Sequence, residues 1–472
     1  MTARLPCPPA PGPLEAYAAG FDPLFRTLAQ RRGFREYLAG LLLPRDRNKT
    51  LTALAAAEPV VGAQGAAVQR LQFFLSEAAW DAEAVTAARI ARLVADPFTA
   101  PHAEGVLVLD DTGDRKDGTA TAHVARQYLG SVGKIDNGIV AVTSLWADAR
   151  VYYPLHVAPY TTAGRLPHGK QDPAFRTKPQ IALALVDRAH AAGVPFRAAV
   201  ADSAYGDNLE LERALVRADV PHVLAHRGAV GRCWAPADVA HSFAEAIEAL
   251  PREAWVAVER HFRGGRTEAW WAAELSFAGY GPEQPTRAVV ATTDRDALPA
   301  LSTWYLSTNL PAAEAPLAEV VRLYGLRVWV EEGYKRVKGE LGWADFQVRS
   351  DRAIRRHWAL VCCAFSFCWA HEGQRGAPNH PPVSSAPLPA PEPPARGENR
   401  GVTRRRGHVA RAPLLAGRAA ARARLAGPVG VARALLARVG QHAPAAGAGS
   451  APRRRRGRAR AQPLRPDLTN HR

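Results

Sequence analysis

The chain has 472 residues, 47% of them hydrophobic, and a formal net charge of +17. That is apolar material for more than one core, which excludes a wholly disordered or fibrous chain. The five cysteines (Cys7, Cys233, Cys362, Cys363 and Cys368) have no paired spacing, which excludes a disulfide scaffold and points to a reducing, cytoplasmic setting. The longest near-apolar run, Ala359–Ala370, is too short to cross a bilayer, and the first residues lack the apolar stretch of a signal peptide. The charge is unevenly placed. From His371 onward there are 20 Arg, no Lys and four acids, whereas the preceding 370 residues hold 41 basic and 40 acidic side chains. A globally basic nucleic-acid-binding body is therefore not supported, although local basic patches remain open.

In chain order, residues 15–100 read as a helical domain. Phe34, Tyr37, Leu38 and Leu41 recur at helical spacing, and Arg45, Arg47 and Lys49 sit in the loop that follows. Val68, Leu71 and Phe74 mark a further helix, and Ala84–Val94 another. Such a bundle serves DNA-end recognition and plain packing equally well. From Gly105 the pattern becomes α/β. Val106–Leu109 is an apolar strand ending in Asp110-Asp111, and Gly138–Leu145 and Tyr152–Tyr160 complete a predicted meander. A helix over Pro179–Ala192, a strand over Phe196–Ala201 ending at Asp202, a helix over Asn208–Ala218 and a strand over Pro221–Ala225 follow. Residues 101–226 thus form the first part of a core. Residues 227–300 break the alternation: Trp255–Phe262 and Thr267–Phe277 predict a hairpin across Arg263–Arg266, and Ala288–Thr293 adds a strand, together a β-rich insertion. Thr303–Ser307 returns to the core, and two long helices, about 313–341 and 351–371, complete its second part, 301–372. Residues 373–472, dominated by Ala, Arg, Gly and Pro, carry too little apolar surface to offset their ordering entropy and read as a disordered tail.

Three acids stand where chemistry usually sits. Asp110 ends the strand VLVLD, Asp202 ends AAVAD, and Glu331 lies in the helix after the insertion. Strand ends of α/β sheets project side chains into a crevice. Three convergent carboxylates are what two divalent ions need for phosphoryl transfer, and Mg²⁺ takes hard oxygen ligands. Asp111 competes with Asp110 for the first role; strand alternation favours Asp110. In YGLRVWVEEGYKRVK, Tyr324, Arg327, Glu331 and Lys338 fall at spacings of 3, 4 and 7, which places them on one helix face. On that face Glu331 suits metal binding, Arg327 and Lys338 suit phosphates, and Tyr324 suits a DNA contact near the cut. The bland alternative is an amphipathic helix with ordinary ion pairs.

At these residues the chain resembles a large group of bacterial insertion-sequence DDE transposases, whose signature Y-x2-R-x3-E-x6-K is met by Tyr324, Arg327, Glu331 and Lys338. Asp202-Ser203-Ala204-Tyr205-Gly206 resembles the group's second-Asp motif, and Asp110–Lys134 the first-Asp region of one subgroup. The resemblance implies a ribonuclease-H-like mixed sheet with flanking helices, a β-rich insertion between the second Asp and the Glu, and an N-terminal helical domain that binds DNA ends. It implies a triad of Asp110, Asp202 and Glu331 holding two Mg²⁺, with Mn²⁺ as substitute, and cut-and-paste transposition. The partners are then double-stranded DNA, as terminal inverted repeats and target, and a second copy of the chain in the DNA complex, on the bacterial nucleoid. One departure stands out: such enzymes end in aromatic, Trp-rich segments, and this tail has none. A nuclease of the same core without strand transfer, and an inactive DNA-binding remnant, are the alternatives.

Other residues weigh less. Lys116, Arg126 and Lys134 either line a DNA channel or are merely solvated. Lys335, Arg336, Arg349, Arg352, Arg355 and Arg356 form a dense basic run near the Glu331 helix and read as DNA-backbone contacts, Lys335 and Arg349 foremost. Trp270, Trp271 and Trp304 read as core, with stabilisation of an extruded base as the alternative. Cys362, Cys363 and Cys368 share an apolar helix and read as core, not zinc ligands.

Overall fold

A computed structural model describes residues 12–228, 250–262, 266–277 and 286–374, together with Phe243 and Ile247. The expected tail lies outside the described residues from 375 onward. Strand β1 (Val106–Arg115) runs on past the Asp110-Asp111 pair, further than its apolar stretch predicts. Beyond it come β2 (Ala125–Leu129), β3 (Lys134–Ala147) and β4 (Tyr152–Tyr160). β1 and β4 flank β3, both antiparallel to it. Helix α6 (Lys178–Ala191) then crosses over to β5 (Ala198–Ala201), which pairs parallel with β1, and β5 pairs parallel with β6 (His222–His226). Parallel strands need such a crossover, and β5 is buried along its whole length, as an all-apolar AAVA run requires. The order β4-β3-β1-β5-β6, three antiparallel strands followed by two parallel ones, is the ribonuclease-H-like arrangement.

The β2 strand has no counterpart among the predicted elements. It pairs with the start of β3, and Gly138 has Arg115 on one side and Ala125 on the other, so β2 and β4 share one edge of β3. Its residues are mostly polar and half-exposed, with only Leu129 buried, so no apolar period announced it. The strands of the insertion, β7 (Val256–His261), β8 (Thr267–Phe277) and β9 (Thr286–Thr292), pair in turn and join β10 (Thr303–Thr308), which pairs antiparallel with β6. One sheet of ten strands, among the described residues, therefore runs through core and insertion alike.

The N-terminal helices are α1 (Pro13–Ala19), α2 (Leu28–Leu42), α3 (Leu51–Leu54), α4 (Ala66–Ser76) and α5 (Ala82–Ala95). Thr27 and Gln30 close a capping box at the start of α2, with the Thr27 side chain accepting from the Gln30 N–H. After α6 come the single turn α7 (Ser203–Gly206), α8 (Leu209–Arg217), α9 (Leu317–Gly325), α10 (Val328–Gly339) and the long α11 (Asp351–Gln374). One hydrophobic cluster extends from Ala18 to Trp369, with Phe34, Phe74, Trp146, Tyr152, Phe365 and Trp369 among its buried members. Two buried arginines fasten the helices, Arg89 to the sheet and Arg356 to one another. Arg89 donates to the carbonyls of Pro154 and Leu155 and to Ser366 Oγ. Arg356 donates to the carbonyls of Leu75, Ala78 and Trp80 and lies over the Trp80 ring. Cys362, Cys363 and Cys368 are buried in α11, as expected of core residues. Among the described residues no helix is long and apolar enough to cross a membrane.

Buried histidines make this packing sensitive to acid. His357 in α11 donates from Nε2 to the Gly342 carbonyl (3.1 Å) and has Nδ1 2.8 Å from the Tyr37 hydroxyl. Burial pushes His357 and His222 down to about 4 and His156 down to about 3. An unfolded histidine charges near about 6.5. Below that pH the unfolded chain takes up protons that the folded chain refuses. The stabilisation is therefore complete above pH 6.5 and is lost as pH falls toward 4, at about 3 kcal/mol per ring. Thermal melting between pH 7 and 4 should fall steeply, and less steeply in His357→Gln; a flat profile would contradict the burial of these rings as neutral groups.

Candidate active site

Asp110 lies midway along β1, paired with Thr143 of β3, and the Asp111 N–H donates to Asp110 Oδ1 at 2.7 Å. Asp202 directly follows β5 and caps α7. Its Oδ1 accepts the Ala204 N–H at 3.0 Å, which leaves Oδ2 for the crevice. Gly206 ends that turn where the chain passes β6 so closely that a Cβ would lie 1.9 Å from the Ala225 carbonyl oxygen. Only glycine fits there, so the D-x-x-Y-G pattern is a packing requirement that fixes the loop carrying Asp202.

Glu331 enters from α10. The sequence predicts one helix over 313–341, but the structure has two, α9 and α10. Their junction is a tightened turn in which Arg327, Trp329 and Val330 N–H groups bond to carbonyls three residues back. Such 3₁₀ winding eclipses residues three apart and so keeps Tyr324 and Arg327 on one side. Arg327 is the meeting point. Its Nη2 lies 3.0 Å from Asp110 Oδ2 and 3.4 Å from Asp202 Oδ2, and its Nη1 lies 3.5 Å from Glu331 Oε1. The three expected acids thus surround one guanidinium. Burial pushes the Asp110 carboxyl up to about 7; Arg327 pulls it down, while Asp202 and Asp111 add to the rise. Burial works against the charge of Arg327, but Asp110, Tyr324, Asp202 and Glu331 outweigh it and raise its pKa. Glu331, with a side chain 62% exposed, is the most open of the three.

Asp111 has another task. Its Oδ2 accepts from Lys178 Nζ at 2.9 Å and its Oδ1 from the Tyr205 hydroxyl at 3.1 Å. The second aspartate of the pair thereby ties the Asp202 turn and the start of α6 to β1. Tyr324 is buried edge-on to Trp304, with ring centres 4.8 Å apart, and burial pushes its hydroxyl up to about 12. Lys338, expected to grip phosphate, instead has Nζ 2.6 Å from Asp114 Oδ1 and donates to the Gly113 carbonyl at 3.0 Å. Lys335 is 75% exposed beside Glu332, and Arg349 faces solvent.

The surroundings of the weaker candidates change some expectations and leave the core reading of Trp270 in place. Lys116 does not line a channel: it donates to the Ala344 and Phe346 carbonyls and lies 3.6 Å from the centre of the Phe346 ring. The basic run does not act as one patch. Arg356 is buried, Arg352 donates to the Ser76 carbonyl, and Arg336 and Arg355 pair with Glu332 and Asp351, because residues adjacent along a helix point in different directions. Trp270 is buried against Trp304, the two sharing the Arg260 guanidinium, and Trp271 lies under Arg295. Lys178, Tyr334 and Asp114 went unnoticed in the sequence. Tyr334 and Asp114 had a signal: Tyr334 lies on the Arg327–Glu331–Lys338 stripe, and Asp114 shares the strand face of Asp110. Lys178, at the start of a helix, had none.

Among the described residues no three acidic, histidine or cysteine side chains close on a single point; the guanidinium of Arg327 stands between the carboxylates. The donor set nonetheless suits hard divalent cations: three carboxylates gathered about one positive charge, with neither thiolate nor imidazole.

Two families match the chain. The DDE superfamily endonucleases match residues 21–231, and the transposase DDE domain matches residues 145–367. Asp202 lies in both, Asp110 in the first and Glu331 in the second. The chain is also 30% identical over 354 residues to the probable transposase for insertion sequence element IS701 of Microchaete diplosiphon, an alignment covering 74% of this chain and 85% of that relative. Fold, acid constellation and relatives agree, and the chain belongs to the DDE transposases of insertion sequences.

Proposed function

We propose that this transposase cuts DNA at the ends of its element and joins the freed 3′ ends to target DNA, in cut-and-paste fashion, with Asp110, Asp202 and Glu331 holding two Mg²⁺ ions or Mn²⁺ in their place. The observation that carries the reading is the single Arg327 guanidinium shared by all three acids, which come from two strands and a helix far apart in sequence. Divalent ions, when bound, supply Lewis-acid stabilisation of the attacking and leaving oxygens. The protein's own groups do the rest. Asp110 and Asp202 set the floor of the crevice, fixed by β1, by the α7 cap and by the Asp111–Tyr205 tie. Glu331 closes the crevice from α10. Arg327 turns from the carboxylates to a backbone phosphate when DNA arrives, exchanging one anionic partner for another. Lys335 and Arg349 meet the DNA backbone from the exposed side, and Tyr324, beside Arg327, abuts the strand to be cut. The same in-line displacement serves twice, first with water and then with the freed 3′-hydroxyl as nucleophile. A second copy of the chain joins in the DNA complex.

The test is a strand-transfer assay with full-length protein, the element's terminal repeats as labelled duplex, a target plasmid and Mg²⁺ or Mn²⁺. Cleaved ends joined to target are expected. Cleavage without joining would reassign the chain as a nuclease, and end binding without cleavage would make it an inactive remnant.

A further inference from the structure

The seam where the N-terminal helices meet the sheet contains a buried cation that no acid answers. Arg89 of α5 is 0% exposed. Its Nη1 donates to the Pro154 carbonyl at 2.8 Å and to Ser366 Oγ at 3.1 Å, and its Nη2 donates to the Leu155 carbonyl. All three acceptors are neutral. Among the described residues no carboxylate pairs with Arg89, and its buried Nε has no hydrogen-bond partner. Buried charges are ordinarily paired, and a guanidinium cannot escape the cost of burial by giving up its proton. Arg89 also lines a cavity of about 20 Å³ between α5, α6, α11 and β4, with Arg188 and Arg355 beside it. Those two arginines have acids of their own: Arg188 pairs with Glu83, and Arg355 Nε lies 2.7 Å from Asp351 Oδ1. Three guanidinium groups and two half-exposed carboxylates thus surround the cavity, which leaves one positive charge over. The surplus is felt nearby. Burial pushes His156 of β4 down to about 3, and the Arg188 and Arg89 charges push in the same direction.

We propose that this cavity is a binding site for one small monovalent anion, chloride in the cell, held by the Arg89 Nε–H with Arg188 and Arg355 completing its surroundings. Size selects against larger anions. A water needs about 10–15 Å³ of such space, so the cavity has room for a water or two or a single halide, and not for sulfate or phosphate. Charge selects against water. A water would give Nε an acceptor and still leave the guanidinium uncompensated inside the fold. The acid in the lining, Glu83, is already engaged by Arg188, and the Cys362 thiol offers a weak further donor. The site bridges three helices to β4 and shares no residue with the Arg327 cleft. Its occupancy therefore bears on the stability of the seam and not on the chemistry of cutting.

The test is thermal melting of the full-length protein at constant ionic strength as gluconate is exchanged stepwise for chloride or bromide. Non-specific salt effects run the other way, because strongly hydrated anions stabilise folded chains by exclusion from their surface. Saturable binding to the folded state should raise the melting temperature by about 3 °C once halide reaches about ten times its dissociation constant. Glu83→Gln, which frees Arg188, should lower the halide concentration at half-effect, and Arg188→Gln should raise it, each by about threefold for one partly exposed charge. Cys362→Met, which fills the cavity, should abolish the response and keep a cooperative melt. Arg89→Met should abolish it too, but that variant is destabilised, so the other three carry the test. In crystals grown with bromide, anomalous scattering should place one ion within hydrogen-bond reach of Arg89 Nε. A melting temperature that only falls as halide replaces gluconate would overturn the inference and assign the cavity to water. A halide response unchanged in both Cys362→Met and Arg188→Gln would overturn it as well, since the ion would then sit elsewhere.

Discussion

Replacing Glu331 with Gln should leave binding of the element end nearly intact and reduce cleavage about a thousandfold or more. The substitution keeps the length and shape of the side chain and removes only its charge. Glu331 is mostly exposed and pairs with Arg327 at its own helix start, so the fold loses little. The missing carboxylate costs several kcal/mol of transition-state stabilisation if it holds a catalytic ion, and each 1.4 kcal/mol or so is a factor of ten in rate. Arg327→Ala should behave differently. It should weaken engagement of the DNA end, lower the salt slope by about one phosphate contact, and regain part of its cleavage at high enzyme and low salt. The two variants are compared by gel shift and by cleavage of labelled end duplexes in Mg²⁺. Wild-type cleavage by Glu331→Gln would reduce α10 to a structural helix and remove the proposed mechanism at its most specific residue.

The largest effect on stability is expected at Arg89. This side chain is 0% exposed, and its donors serve the Pro154 and Leu155 carbonyls of β4 and Ser366 of α11. Arg89→Met fills a similar volume but leaves these acceptors unsatisfied at about 1–3 kcal/mol each, so unfolding free energy should drop by about 4 kcal/mol. Urea denaturation should show the midpoint moving down with an unchanged slope, the sign of altered stability and not of an altered unfolded state. Arg89→Lys should fall in between, since one ammonium cannot span three acceptors held in a fork. A loss under about 1 kcal/mol would show that helices and sheet are held by apolar packing alone.

How much of this was legible in advance differs from element to element. The strands that hold Asp110 and Asp202 could be read because each is a continuous apolar run that stops at an acid, and burial on both faces demands such a run. Glu331 was legible through its stripe. The break between α9 and α10 had only a weak mark, Gly325 at the end of α9, since Leu326 and Arg327 are good helix formers and no proline interrupts them. At that turn Arg327 meets acids on distant strands, a tertiary contact that no local pattern announces. The Asp114 partner of Lys338 was hidden for the same reason: it is brought near only by the fold. The members of the basic run could not be told apart because a list of cations says nothing about direction, and α11 sends Arg356 into the core while Arg352 reaches across to Ser76.

The position of Arg327 bears on the life of the protein before it ever meets DNA. Acids crowded into one cleft repel one another. Here the chain brings its own neutralising ion, covalently attached and delivered by the same turn that presents Glu331. The fold can therefore be completed with no divalent cation in the cleft, and on the proposed mechanism a chelator such as EDTA should silence the protein without unfolding it.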